Sequence, residues 1–364
     1  MQRFAVWFQQ HIRNGTLSPA LDLALLPFAF AYGIAGRFRS GLYEFGLLKT
    51  RSLSCPVISV GNLTVGGTGK TPVVIALANW LHNQGKRVGV ISRGYGRDNG
   101  RQIVLVSDGQ QTLVDSHKGG DEPVLIATRC PGVPVIVGAD RYAAGTQLLR
   151  RFSCNVLILD DGFQHLALQR DADLLLVDAE SRFGNGCLLP RGPLREPSTS
   201  IKRATALMVT RASSTENNVI ASLGASSLGE MPIGISRFAL TGFVNLRTGD
   251  VLAPEMMRGK RCIAFCGIAN PNSFSTMLEN AGLTIQELLS FPDHWRYTSE
   301  DLQKIWDSTE GCAPKMMVTT EKDAVKIRHR LAQSLDVFAT RIELEWVKGQ
   351  QLIEQHLMDA VDRG

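Results

Sequence analysis

At 364 residues, with 44% hydrophobic and 20% charged residues, the chain is long enough for two packed units, and its composition argues against general disorder. The formal charge of +5 is mild and spread out; without zinc-finger spacing, an aromatic RNA-binding segment or a long basic arm, it points to an acidic partner other than nucleic acid. Seven scattered cysteines with no CxxC indicate neither a disulfide framework nor a structural zinc, and Cys262 and Cys266 in RCIAFCGI read as small buried thiols.

In chain order, residues 1–45 carry the apolar run LALLPFAFAYGIAG from Leu23 to Gly36, shorter than the roughly 20 residues a spanning helix needs. Flanking Arg13, Arg37, Arg39, Lys49 and Arg51, with Phe28, Phe30 and Tyr32 between, fit a helix lying in a membrane interface. A buried core helix would show the same run. Asp22 and Pro27 interrupt the segment and no cleavage site follows, so an export signal is not expected.

Over 46–234 short β-branched runs alternate with helical ones, which predicts a mostly parallel sheet. Strands are expected at Val57 to Val60, Val88 to Ile91, Ile103 to Val106, Val135 to Val137, Val156 to Leu159, Leu174 to Val177 and Ala206 to Thr210, with a helix from Thr71 to His82. Ala212 to Leu228 reads as a surface stretch. Residues 235–257 contain a β-hairpin, Phe238 to Ala253, turning at Thr248, Gly249 and Asp250, and linking to a smaller α/β unit over 258–364. That unit is expected to hold strands at RCIAFCGI, KMMVTTEKD and Val337 to Leu344, and helices at Asn272 to Ala281 and Thr298 to Asp307.

Strand PVISV runs into GNLTVGGTGKTP and then a helix, the order a Walker A phosphate loop requires, so the α/β core is of the P-loop NTPase type. Gly66, Gly67, Thr68 and Gly69 would wrap backbone amides round phosphate oxygens; Lys70 would reach the β- and γ-phosphates, and Thr71 would hold Mg2+. Thr64 stands where the motif usually has its first glycine. VLILDDGFQH ends an apolar strand in Asp160 and Asp161, carboxylates suited to magnesium; a helix cap or turn is their other reading. Thr320, Glu321, Lys322 and Asp323 have the residue types of a guanine loop in a different order, which favours ATP over GTP.

A kinase also needs a group near the γ-phosphate to take the acceptor's proton. KGGDEP offers Asp121 and Glu122, and FPDHWRY offers Asp293 and His294. Arg93, Arg97, Arg191 and Arg195 could hold phosphate oxygens; for Arg97 and Arg191 solvated surface is the equal alternative.

The series GNLTVGGTGKTP, SRGYGR, GGDEP, LDDGFQH, LLPRGPLREP, FCGIANP, FPDHWRY and VTTEKDAVK, from Gly61 to Lys326, resembles the tetraacyldisaccharide 4'-kinases of lipid A biosynthesis. The resemblance implies transfer of the ATP γ-phosphate to the 4'-hydroxyl of tetraacyldisaccharide 1-phosphate, giving lipid IVA, by a peripheral enzyme on the cytoplasmic face of the bacterial inner membrane; the chain is expected to act as a monomer. It implies that Asp121 is the catalytic base with His294 paired to it, that Asp160 and Asp161 lie in the magnesium region, and that Tyr95, Arg195 and Glu196 are active-site or substrate-contacting residues; Arg93 is expected to contact substrate through its guanidinium. Trp295 stands where a second histidine is more usual. A cytosolic P-loop ATPase or small-molecule kinase, and a nucleotide-binding protein without chemistry, are the alternatives. His294 lies on the second unit and Lys70 and Asp121 on the first, so closure about the hairpin is expected to complete the site.

Overall fold

Each β-branched run becomes a strand: β1 (Val57–Asn62), β2 (Val88–Ser92), β3 (Val104–Asp108), β4 (Pro134–Val137), β5 (Val156–Asp160), β6 (Ala172–Asp178) and β7 (Ala206–Thr210). They continue through β8 (Ile233–Asn245), β9 (Val251–Leu252), β10 (Arg261–Cys266), β11 (Thr284–Ser290), β12 (Met316–Thr320) and β13 (Asp336–Lys348). The structure, a computed structural model, describes residues 18–212, 229–308, 316–331 and 336–363; Arg13 and, beyond Ala212, the predicted surface stretch to Leu228 lie outside the described residues.

All of these strands join one sheet in the order β11-β10-β12-β13-β8-β7-β6-β1-β5-β2-β4-β3, with β9 paired to β8. Strands β1, β2, β4, β5, β6 and β7 are buried along their whole length because helices cover both faces, as parallel sheets require. One face packs on α2 (Lys70–Asn83), α3 (Asp121–Arg129) and the C-terminal α8 (Gln350–Arg363), through Val73, Leu77, Val124, Ile126, Ile353 and Leu357. The other packs on α4 (Arg141–Arg151) through Ala144 and Leu148, and on Phe163, Leu194 and Ile201. A second core lies between β10, β12 and β13 and the helices α5 (Pro271–Asn280), α6 (Ser299–Asp307) and α7 (Glu321–Ile327).

The hairpin is present, with Phe243 opposite Leu252 and Val244 opposite Val251, but β8 has a longer partner. It pairs antiparallel with β13 from Asn245 opposite Phe338 to Ile235 opposite Lys348, so a two-stranded ribbon joins β7 on one side to β12 on the other within the single sheet. Strand β11 and helix α8 have no counterpart in the sequence reading. TIQELLS is an edge strand of exposed and half-buried positions with none buried, which lacks the continuous apolar signature of its neighbours.

The N-terminal apolar run is also longer than its uninterrupted stretch suggested. It lies in α1 (Pro19–Glu44), 26 residues capped by Ser18, and is long and apolar enough by length and composition to cross a bilayer. Pro27 and the arginines do not end it. Only Ala29 and Gly33 are buried, Gly33 against Leu188, while Leu23, Phe28, Phe30 and Phe38 face outward. Polar ties fix it to the body: Arg191 donates Nε and Nη2 to the Asp22 carboxylate at 2.9 and 2.8 Å, and Arg39 donates to the Gln164 carbonyl at 3.2 Å.

Candidate active site

Parallel strands β1, β5 and β2 lie side by side, so the loops at their carboxyl ends converge, where ligands of open α/β sheets bind. The loop after β1 folds as the glycine pattern demands. Gly66 and Gly69 have φ of 111° and 81°, and a Cβ on Gly69 would meet the Phe238 ring at 2.3 Å. Gly69 then caps α2, which begins at Lys70. The loop is tied to the end of β7: Thr210 Oγ1 donates to the Thr68 carbonyl at 2.9 Å and Arg211 to the Gly67 carbonyl at 2.7 Å. Thr64, Gly66, Gly67 and Thr68 line a cavity closed on the far side by Ser181, Arg182 and Gly184. Lys70 Nζ donates to Asn62 Oδ1 at 3.1 Å and lies 3.6 Å from Asp161, while Thr71 is buried beside it.

The two carboxylates ending β5 differ sharply. Asp161, with φ of 52°, accepts from Arg195 Nη1 at 2.9 and 3.0 Å. Burial works against its ionisation, but Lys70, Arg195 and Arg141 outweigh burial and hold the carboxyl below its usual range. Asp160 is buried; its Oδ2 accepts from Ser92 Oγ at 2.8 Å and its Oδ1 has no partner. Burial, then the charges of Glu122 and Asp161, push its carboxyl up to about 7. A buried carboxylate oxygen lacking a partner is costly, and a divalent cation would supply one. Among the described residues no group of three His, Cys, Asp or Glu side chains forms a metal cluster, so Asp160, Asp161 and the Thr71 hydroxyl fit a magnesium shared with phosphate oxygens rather than an all-protein cage.

Across the cleft, Asp121 opens α3 behind Gly120, whose φ of 89° and close approach to Gly94 and Tyr95 exclude a side chain. His294 comes from the loop between β11 and α6, in the left-handed region at φ of 59°, and its Nδ1 meets the Asp121 carboxylate at 2.9 and 3.2 Å. Its Nε2 is 3.2 Å from Lys322 Nζ. Lys322 also bonds Asp293 at 3.0 Å and lies 3.3 Å from Glu122; Lys326 lies 3.6 Å from Asp121 and 3.0 Å from Asp323. Burial disfavours the Asp121 anion, yet the His294 hydrogen bond and the charges of Lys322, His294 and Lys326 hold its carboxyl far below the usual range. His294 is pulled down by burial but raised on balance, chiefly by its bond to Asp121. Asp121 is therefore ionised at neutral pH, with the His294 ring held against it.

The structure brings Lys70, Thr71, Asp160, Asp161 and Arg195 together at the phosphate loop, and Asp121, His294 and Tyr95 at the cleft. The Tyr95 ring stands edge-on to His294 with centroids 5.3 Å apart. Arg93 is exposed, and Glu196 pairs at 2.7 Å with Arg203, which stacks over Phe163. Trp295 donates Nε1 to Asp301 at 3.0 Å, so its ring serves its own unit. Sequence reading missed Lys322 and Lys326; lysines four apart at the head of a helix after a strand end were the available signal. Asp323 is the anchor beneath them, accepting from the Gly267 amide at 2.9 Å and Thr320 Oγ1 at 2.7 Å. Among described non-glycine residues, positive φ occurs at Asp161, Arg182, Arg211 and His294, all on loops around this site.

A sequence profile described as tetraacyldisaccharide-1-P 4'-kinase matches residues 21–362. The chain is 42% identical over 320 residues to the tetraacyldisaccharide 4'-kinase of Pelobacter propionicus, covering 87% of both chains. To that of Geobacter sulfurreducens it is 41% identical over 330 residues, 91% of both. Among solved structures, LpxK from Aquifex aeolicus in complex with ATP superposes with a TM-score of 0.77 at 32% identity, covering 94% of this chain and 99% of that one.

Proposed function

This chain belongs to the tetraacyldisaccharide-1-P 4'-kinase family, and from that premise we propose how its residues carry out the reaction. It is an ATP-dependent lipid A biosynthesis kinase that transfers the γ-phosphate to the 4'-hydroxyl of tetraacyldisaccharide 1-phosphate. The amides of Gly66, Gly67, Thr68 and Gly69 cradle the triphosphate, and Lys70 leaves Asn62 to reach its β- and γ-oxygens. Thr71, Asp160 and Asp161 would hold Mg2+, which neutralises charge on the phosphates. Arg195 keeps Asp161 oriented toward Lys70.

Asp121 accepts the sugar hydroxyl's proton late, as the oxygen bonds to phosphorus. Ionised throughout the working pH range, it is free to accept that proton once the hydroxyl becomes acidic as transfer proceeds. His294 fixes the carboxylate rotamer through Nδ1, and Lys322 and Lys326 keep the anion charged. Tyr95, exposed at the cleft mouth, offers a flat face to the sugar, while Arg93 and Glu196 are the proposed further substrate contacts. The division into 46–234, 235–257 and 258–364 suits this chemistry, because Asp121 and His294 approach from opposite units. That 2.9 Å meeting is the observation that carries the mechanism.

The outward apolar face of α1, with Arg37 and Arg39, suits a monomeric enzyme seated on the cytoplasmic leaflet of the inner membrane, where its substrate lies. The test is to incubate the full chain with labelled ATP and tetraacyldisaccharide 1-phosphate in detergent. Labelled bisphosphate should form, and Asp121→Asn should lower kcat by about 10²–10⁴ while ATP binding persists. An Asp121→Asn enzyme of undiminished kcat would remove Asp121 from the mechanism.

A further inference from the structure

Two arginines at the site are buried without a counter-ion. Arg97 and Arg141 are 7% and 5% exposed. Arg97 Nη2 donates to the Gly100 carbonyl at 2.8 Å, but its Nε and Nη1 have no partner. Arg141 Nη1 donates to the Ala139 carbonyl at 2.7 Å, and its Nε has none. Carbonyl contacts supply hydrogen bonds but no charge. Proteins pair their buried charges because an isolated one costs several kcal/mol, roughly, in desolvation. Two such groups in one place, repelling each other, need a ligand to make sense.

Their place is the carboxyl edge of β2 and β4. Arg97 packs back over Gly94, where an added Cβ would come 3.0 Å from its Nε and 3.1 Å from Val137 at the end of β4. Arg141 is the first residue of α4, an 11-residue helix whose N-terminal dipole adds positive potential there. Arg93, exposed on the loop after β2, acts on Arg141 as a like charge along with Arg97, whereas Asp161 and Asp160 act on it as opposite charges. Burial comes first in pulling Arg141 down to about 10, so it remains a cation at neutral pH. The neighbouring His165 feels the same field: burial, then Arg141, Arg170 and Arg39, push it down to about 4. Asp161 cannot serve as the missing counter-ion for both, since it already takes Arg195 and lies beside Lys70.

We propose that Arg97 and Arg141, with Arg93 at the rim, form an anion subsite that holds a phosphoryl group beside Asp160 and Asp161. Guanidinium forks match tetrahedral phosphate oxygens, and a dianion would neutralise both buried cations at once. The occupant follows from the kinase reading, on which this part of the inference rests: the γ-phosphoryl group in flight, or the phosphate the acceptor already carries.

Binding is tested first without any turnover. Thermal unfolding of the full-length, nucleotide-free Lys70→Met protein is followed against inorganic phosphate, then repeated with Arg141→Met or Arg97→Met added. Phosphate should raise the midpoint of the Lys70→Met protein, and most of that rise should vanish with either arginine. Without phosphate, Arg141→Met should unfold no lower than its parent, since an uncompensated buried charge has been replaced by an apolar side chain. A purely structural arginine would give a lower midpoint and an unchanged phosphate response, and that result overturns the subsite.

Kinetics in the otherwise native chain then separate the sources. If the γ-phosphoryl group is held, Arg141→Met lowers kcat by about 10²–10³ with both KM values little changed. If the acceptor's phosphate is held, its KM rises, and an acceptor lacking that phosphate is insensitive to the substitution. Kinetic constants all within about twofold of the native enzyme refute both. A phosphate response that depends on the arginines in a protein with no kinase activity would instead sink the kinase reading and leave the subsite standing.

Discussion

Replacing Asp160 by asparagine should stabilise the empty enzyme, and increasingly so as pH rises. Burial and neighbouring carboxylates move this carboxyl from its ordinary 3.8 to about 7 in the folded state. In the unfolded chain it ionises near 3.8, so below that pH the two states bind the same proton and folding carries no penalty. Between the two values the unfolded state gains by ionising while the folded state stays protonated. Above pH 7 the penalty is complete. With about 1.4 kcal/mol per pH unit, it is about 4 kcal/mol at pH 8.5 and about 2 kcal/mol at pH 5.

Asparagine cannot ionise and keeps the shape, so Asp160→Asn should recover those amounts. An unfolding entropy of about 2 cal/mol/K per residue over 364 residues converts 4 kcal/mol into about 5 °C. The assay is thermal unfolding of both proteins in chelator, without nucleotide, at pH 5 and 8.5. The variant should gain about 5 °C at the higher pH and about half of that at the lower. With saturating MgATP the order should reverse, because the native carboxylate then has its cation and the variant does not. A gain independent of pH, or a loss at pH 8.5, would refute the claim that Asp160 is a buried carboxylate awaiting a charge.

Other perturbations probe the remaining parts. Gly69→Ala forces a side chain into the left-handed region, costing about 1–2 kcal/mol, and into the Phe238 ring; ATP affinity measured by calorimetry should fall at least tenfold, roughly, and an unchanged affinity would show that the loop adopts another path. Glu321→Gln leaves Arg129, which bonds Glu321 at 2.6 Å between α3 and α7, and Arg341 at 3.5 Å on β13 facing a neutral amide. Both sides of the Arg129 pair are largely buried, but Arg129 keeps Glu343 at 3.3 Å, so denaturant unfolding should show a loss of about 1–2 kcal/mol; a loss under about 0.5 kcal/mol would mean that the Glu321 charge does not hold α3 to α7. Substituting serine for Phe28, Phe30 and Phe38, all outward on α1, should cut co-sedimentation with anionic vesicles at least a hundredfold, roughly, while detergent-assayed kcat survives. Full retention on vesicles would exclude this face as the membrane contact.

The phosphate loop was legible in the chain itself because its chemistry is local: a buried strand, glycines with positive φ, a lysine and a helix must follow one another within 20 residues or so. The same holds for β5 ending in Asp160 and Asp161, and for each fully buried strand, whose continuous apolar run is its own signature. Tertiary structure alone decided what depends on residues far apart. The 100-residue separation of β8 and β13 hides their ribbon from any local pattern, as does the 173-residue separation of Asp121 and His294. Lys322 fell in an expected strand, KMMVTTEKD, and only the packing of α7 against α3 brings it to Glu122 and Lys326 to Asp121. Arg97 and Arg141 gain their meaning from burial without a partner, a property that exists only once the sheet has closed around them. Periodicity and spacing report which face of an element is apolar; which charges meet, and which are left unmet, is fixed by packing between elements.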